Sequence, residues 1–169
     1  MTTPADPLSL TEGVCLGLIA SGHRHGWSMV RELAPDGELG QIWSVSRPLT
    51  YRALDQLSER GLVKRTGNEP GRGRQRTLLA ITPRGRRALR DWAMTPAAHL
   101  RDVRSDFLVK YELCGRLGMD RLALVDAQIE ELRPIMAAIA SRAPEGIVDL
   151  WRSESSSAIS RVLSELSRR

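Results

Sequence analysis

The chain has 169 residues, 41% hydrophobic and 27% charged, with a formal net charge of +5. This composition excludes a disordered or collagen-like polymer, and the length suits one sizeable domain or a small domain with an extension. No apolar run approaches the roughly eighteen residues of a membrane span and the polar start is no secretory leader, so a cytoplasmic protein without a membrane partner is expected.

Ser9 predicts the start of a first helix, with Glu12 completing a capping box and Gly22 ending it. Leu10, Val14, Leu18 and Ile19 fall on one face of it. Residues 25–33 predict a second helix in which Trp27, Val30 and Leu33 are spaced for burial, and Trp27 is expected in the core. Residues 34–43 read as a loop with turn chemistry at Asp36-Gly37. A third helix follows, with Ser46 as N-cap, Pro48 in its first turn and Gly61 closing it. Its apolar back is predicted to be Leu49, Ala53, Leu54 and Leu57. The opposite face carries Arg47, Tyr51, Arg52, Asp55 and Glu59.

Residues 62–66 and 76–81 are short aliphatic runs around a Gly- and Arg-rich turn, which predicts a β-hairpin. Thr82 caps a further helix with Pro83 at its first position. The order helix, helix, helix, hairpin, helix predicts a mostly α protein. Residues 1–95 form a winged helix-turn-helix DNA-binding domain with a two-stranded wing, and residues 96–169 a C-terminal helical dimerisation and effector region. In that region Leu122, Val125, Ile129, Leu132, Met136 and Ile139 repeat as a heptad seam, which Pro134 is expected to kink or split. A last helix is predicted from Pro144, bearing Ile147, Leu150, Trp151, Ile159, Val162 and Leu166, with a helix-poor serine-rich middle at 153–160.

Residues 60–89 crowd Lys and Arg against a single acid, Glu69. Residues 1–95 carry 14 basic and 9 acidic side chains, whereas residues 96–169 carry 11 of each. Such self-repelling charge is unfavourable unless a polyanion sits on it, so the expected partner is double-stranded DNA. Ser46, Arg47, Tyr51 and Arg52 are the candidate reading residues, and Arg72, Arg74 and Arg76 of the wing the candidate phosphate contacts. Leu122, Val125, Ile129 and Leu132 are the candidate seam of a homodimer. Trp92 and Trp151 are candidates to line a flat cleft between subunits, suited to a small planar aromatic effector. His23 and His25 lack neighbouring ligands, so no metal is expected, and Cys15 and Cys114 read as buried free thiols. No phosphate loop or nucleophile–base signature occurs in the sequence, so neither an enzyme nor a cofactor is expected.

The run 10–33, then Ile42-Trp43-Ser44-Val45-Ser46, residues 51–63, the Arg- and Gly-rich hairpin and residues 81–92 resemble PadR-family transcriptional regulators. Residues 104–114 resemble the start of that family's helical C-terminal part. The resemblance implies a homodimeric DNA-binding repressor with dimer contacts through its C-terminal helices and, as often in that family, a small-molecule effector. The chain departs from the family's usual Ser-Pro-Gly-Thr-hydrophobic-Tyr. It reads Ser46-Arg47-Pro48-Leu49-Thr50-Tyr51, with the proline one place on and the polar–apolar order reversed at Leu49-Thr50. Two other readings stay open: a MarR-type winged-helix regulator, and a winged-helix adaptor that docks a protein. A DNA binder loses affinity steeply with salt, and an adaptor need not.

Overall fold

The computed structural model describes residues 7–69 and 76–169. Helix α1 (Leu10–Ala20) begins at a complete capping box: Ser9 Oγ accepts from the Glu12 amide at 3.3 Å, and Glu12 Oε2 accepts from the Ser9 amide at 2.9 Å. Helix α2 covers Gly26–Glu32. The loop expected after Pro35 instead holds a short helix, α3 (Glu38–Ile42), drawn inward by the fully buried Leu39. Gly40 there backs directly onto the Ala34 carbonyl, a space no Cβ could share.

Helix α4 (Arg47–Glu59) ends where Gly61 takes φ +66°, which lets the Leu62 amide donate to the Leu57 carbonyl at 2.9 Å. Strands β1 (Val63–Glu69) and β2 (Arg76–Ile81) pair antiparallel from Val63 opposite Ile81 to Glu69 opposite Arg76, with a register shift between Arg65 and Gly67. Thr82 then caps helix α5 (Pro83–Ala93), its Oγ1 accepting from the Gly85 amide at 3.0 Å. The C-terminal part comprises α6 (Leu100–Asp102), a π-helical turn at Val103–Phe107, α7 (Leu108–Arg116), α8 (Arg121–Ala140) and α9 (Ile147–Leu166).

One core runs through both parts. Leu113 of α7 packs on α1 so closely that a methyl at Gly17 would lie 2.8 Å from it. Gln128 is fully buried and grips the chain after α5: its Oε1 accepts from the Ala97 amide at 2.7 Å and its Nε2 donates to the Ala97 carbonyl at 2.8 Å. Arg116 of α7 donates to Glu32 at 2.7 Å and Glu38 at 2.8 Å, tying α7 to α2 and α3. A buried pairing such as that of Gln128 with Ala97 fixes one arrangement, because breaking it strands its partner.

The heptad seam is not a free stripe. Val125 and Leu132 are fully buried within the chain, Ile129 is half-buried, and Leu122 is 48% exposed. The physical reason is that α8 packs between α7 and α9, so its apolar side faces its own neighbours, and Leu124 and Gln128 join it there. Nor does Pro134 split α8, which continues to Ala140. Pro134 and Glu130 both face solvent, where water can take up the carbonyl that the proline leaves without a donor. The last helix starts at Ile147, not Pro144. Its serine-rich middle is helical because small side chains such as the buried Ser156 allow α8 and α9 to pack closely.

Burial raises the Glu12 carboxyl, but the Ser9 amide and hydroxyl and the Arg60 guanidinium, 2.8 Å away, outweigh it and hold it below its ordinary 4.5. A carboxyl lowered on folding adds stability that is complete above its unfolded pKa and is lost as pH falls through the folded one. Glu12→Gln is therefore expected to lower Tm at neutral pH and to lower it less at about pH 3. Paired melts at the two pH values check this, and equal losses at both would count against it.

Candidate nucleic-acid interface

Helix α4 is turned relative to the expected orientation. Thr50, Ala53, Leu54 and Leu57 face inward, and Leu49 stands 51% exposed. Residues 50, 53, 54 and 57 make a narrower i, i+3, i+4, i+7 stripe than a set starting at 49. The Thr50 hydroxyl tolerates full burial because it donates to the Ser46 carbonyl at 3.1 Å. A threonine completing an apolar stripe was the signal available in the sequence.

The outward side of α4 carries Arg47, Tyr51, Arg52 and Asp55, all exposed. Ser46 is the N-cap residue, yet its side chain makes no capping hydrogen bond. The Arg47 guanidinium lies 5.7 Å from the centre of the Tyr51 ring. That ring abuts the start of α2, where a methyl at Gly26 would come within 2.8 Å of it. Tyr51 is thus anchored against α2, and Arg47 lies over its ring in an exposed contact worth about 0.5–1 kcal/mol. Arg65 of β1 sits 3.8 Å from Asp55, a loose and exposed pair of little energetic weight.

The wing is tied down beside this helix. The Leu79 amide of β2 donates to the Arg24 carbonyl at 2.9 Å, and His25 Nε2 lies 3.1 Å from Glu69 Oε2. Trp27 is not a core residue. It is 48% exposed, and the guanidinium groups of Arg31 and Arg76 each lie 5.1 Å from its ring. Met29 and Leu33, four apart, take the buried side of α2, which leaves Trp27 and Arg31, also four apart, on the surface. This i, i+4 pair was visible in the sequence, whereas its third member arrives from the wing. Of the wing arginines, Arg76 is described; Arg72 and Arg74 lie outside the described residues.

Trp92 and Trp151 are not brought together within the protomer. Trp92 is 9% exposed in the shared core, its indole filling the space above Gly13 with Lys110 Nζ 5.1 Å from the ring. Trp151 is 73% exposed and borders a cleft lined by α6, the π-helical turn, α8 and α9. His23 lies 3.3 Å from Ser28 Oγ; burial lowers its pKa, with Glu32 raising it and Arg116 lowering it further. Both cysteines are buried free thiols, and burial pushes Cys15 up to about 12. Among the described residues no three His, Cys, Asp or Glu side chains group to hold a metal, and no helix is long and apolar enough to cross a membrane.

Comparison with known proteins adds two findings. Residues 15–91 match the transcriptional regulator PadR-like family. The fold is similar to that of the crystal structure of Bacillus subtilis PadR in complex with operator DNA. That similarity has 18% sequence identity and a TM-score of 0.50, covering 95% of this chain and 99% of the other. No curated protein matches.

Proposed function

We propose that this chain, PadR-like over residues 15–91, is a DNA-binding transcriptional regulator that represses from an inverted-repeat operator as a homodimer. The observation that carries this reading is the joint surface of α4 and the wing. There Arg47 and Arg52 project from a rigid helix, and Arg31 and Arg76 are stacked on Trp27 beside it. The similar fold of a protein held in complex with operator DNA supports it.

In this reading α4 enters the major groove, with Ser46 at its mouth and Arg47, Tyr51 and Arg52 reading base edges. Arg76 and Arg31 grip phosphates, pre-oriented by the Trp27 ring, and Arg72 and Arg74 add charge to the same strand contacts. Two such helices meet half-sites about one helical turn apart. The subunit contact is assigned to α9, where Ile147, Val148, Leu150 and Trp151 are exposed over the first turns, with Leu122 of α8 as a second element. A planar aromatic effector is assigned to the cleft of about 1430 Å³ that Trp151 borders. It acts by preferring a subunit arrangement whose reader helices no longer match the half-sites.

Reader and clamp separate in one experiment. Arg52→Ala is expected to cost about 1–3 kcal/mol on the operator and to relax its specificity. Arg76→Ala should weaken all duplexes alike and reduce the salt slope by roughly one unit. Trp27→Ala should follow Arg76→Ala in being blind to sequence, since it disorders that arginine. Titrations of operator and scrambled duplexes at several salt concentrations check this. A salt-independent interaction would favour the adaptor instead.

A further inference from the structure

The first turn of α4 leaves a large apolar side chain in water. Leu49 is 51% exposed, while its neighbour Thr50 is fully buried. Transfer free energy alone favours the opposite arrangement, with leucine inside and threonine outside. The Thr50 hydroxyl is satisfied in that position by its bond to the Ser46 carbonyl. Leu49 thus adds nothing visible to the core, and it stands on the same turns as Arg47 and Arg52, both exposed. Arg52 is its i+3 neighbour on the helix surface.

We propose that Leu49 is a specificity-determining residue that packs on the 5-methyl group of a thymine in the major groove. This rests on the reading of α4 as the groove helix. The thymine methyl is the apolar feature that bases present on the major-groove edge, and guanine there offers the acceptors that suit an arginine. An exposed leucine with Arg52 one turn on along the helix surface is complementary to a thymine beside a guanine or a phosphate. Its charge suits DNA rather than an apolar protein partner, which would have to desolvate Arg52 to reach Leu49.

The experiment removes the methyl group alone. Duplexes selected by the wild-type protein from a random double-stranded library are remade with deoxyuridine at one thymine at a time. One thymine in each half-site is expected to matter: its replacement weakens wild-type binding about three- to fivefold, the scale of one methyl group taken out of water. Leu49→Ala should bind the thymine and uridine forms equally, and should melt at the wild-type temperature because the side chain is exposed. If no thymine shows a loss, or if Leu49→Ala shows the same loss at the same thymine, Leu49 does not read the methyl group although α4 still reads DNA. If selection enriches no sequence at all, the DNA-binding reading fails and the role of Leu49 with it.

Discussion

Trp151→Asp is expected to convert the protein to a monomer and to weaken operator binding by about 10²–10⁴-fold. The side chain is 73% exposed, and Ile147 and Val148 beside it are 78% and 59% exposed, so the protomer does not need it to fold. A subunit interface there would bury these residues together, and an aspartate at its centre would be desolvated without a partner. The loss in DNA binding follows from linkage. In a dimer the second half-site is engaged at a high effective concentration, an advantage that a monomer forfeits even with its own contacts intact. The mutant should therefore bind an isolated half-site as wild type does and gain little from a full operator. Sedimentation velocity with titrations on half and full operators checks both parts. A mutant that still sediments as a dimer would remove α9 from the interface.

Leu132→Ala is expected to destabilise the protomer by about 2–5 kcal/mol, and Leu122→Ala by less than about 0.5 kcal/mol. Both leucines belong to the same apparent heptad seam, but Leu132 is fully buried within the chain and Leu122 is 48% exposed. Removing Leu132 leaves a cavity in the shared core that its surroundings only partly close. Any effect of Leu122→Ala should instead depend on protein concentration, as a subunit contact does and a core contact does not. Urea unfolding at two protein concentrations separates them. Equal, concentration-dependent losses at both positions would restore α8 as a continuous dimer seam.

Several element boundaries could be read from the chain because their causes lie within about a turn of the residue concerned. The Ser9–Glu12 box, the Thr82-Pro83 start of α5 and the left-handed Gly61 are each satisfied by neighbours three to five residues away. The hairpin and the sign of its charge were equally local. Together they sufficed for the winged-helix order and are the basis on which an anionic partner is proposed. The short α3 escaped notice because five residues carry too little periodicity to register, and the burial of Leu39 depends on what lies opposite it.

Rotation about a helix axis is a different kind of fact. Leu49 and Thr50, or Trp27 and Met29, differ by one or two positions, and composition favours the wrong member of each pair for burial. Packing chose by geometry: Met29 and Leu33 face the core together, Thr50 completes a tighter stripe than Leu49, and hydrogen bonding offsets its hydroxyl. The same holds for α8. Its repeat states that one side is apolar, but whether that side meets its own chain or another copy depends on α7 and α9 arriving beside it. Periodicity encodes that a surface must be covered, because apolar area is expelled from water whatever covers it. The identity of the cover is set by contacts between residues far apart in sequence, and these appear only once the chain has folded.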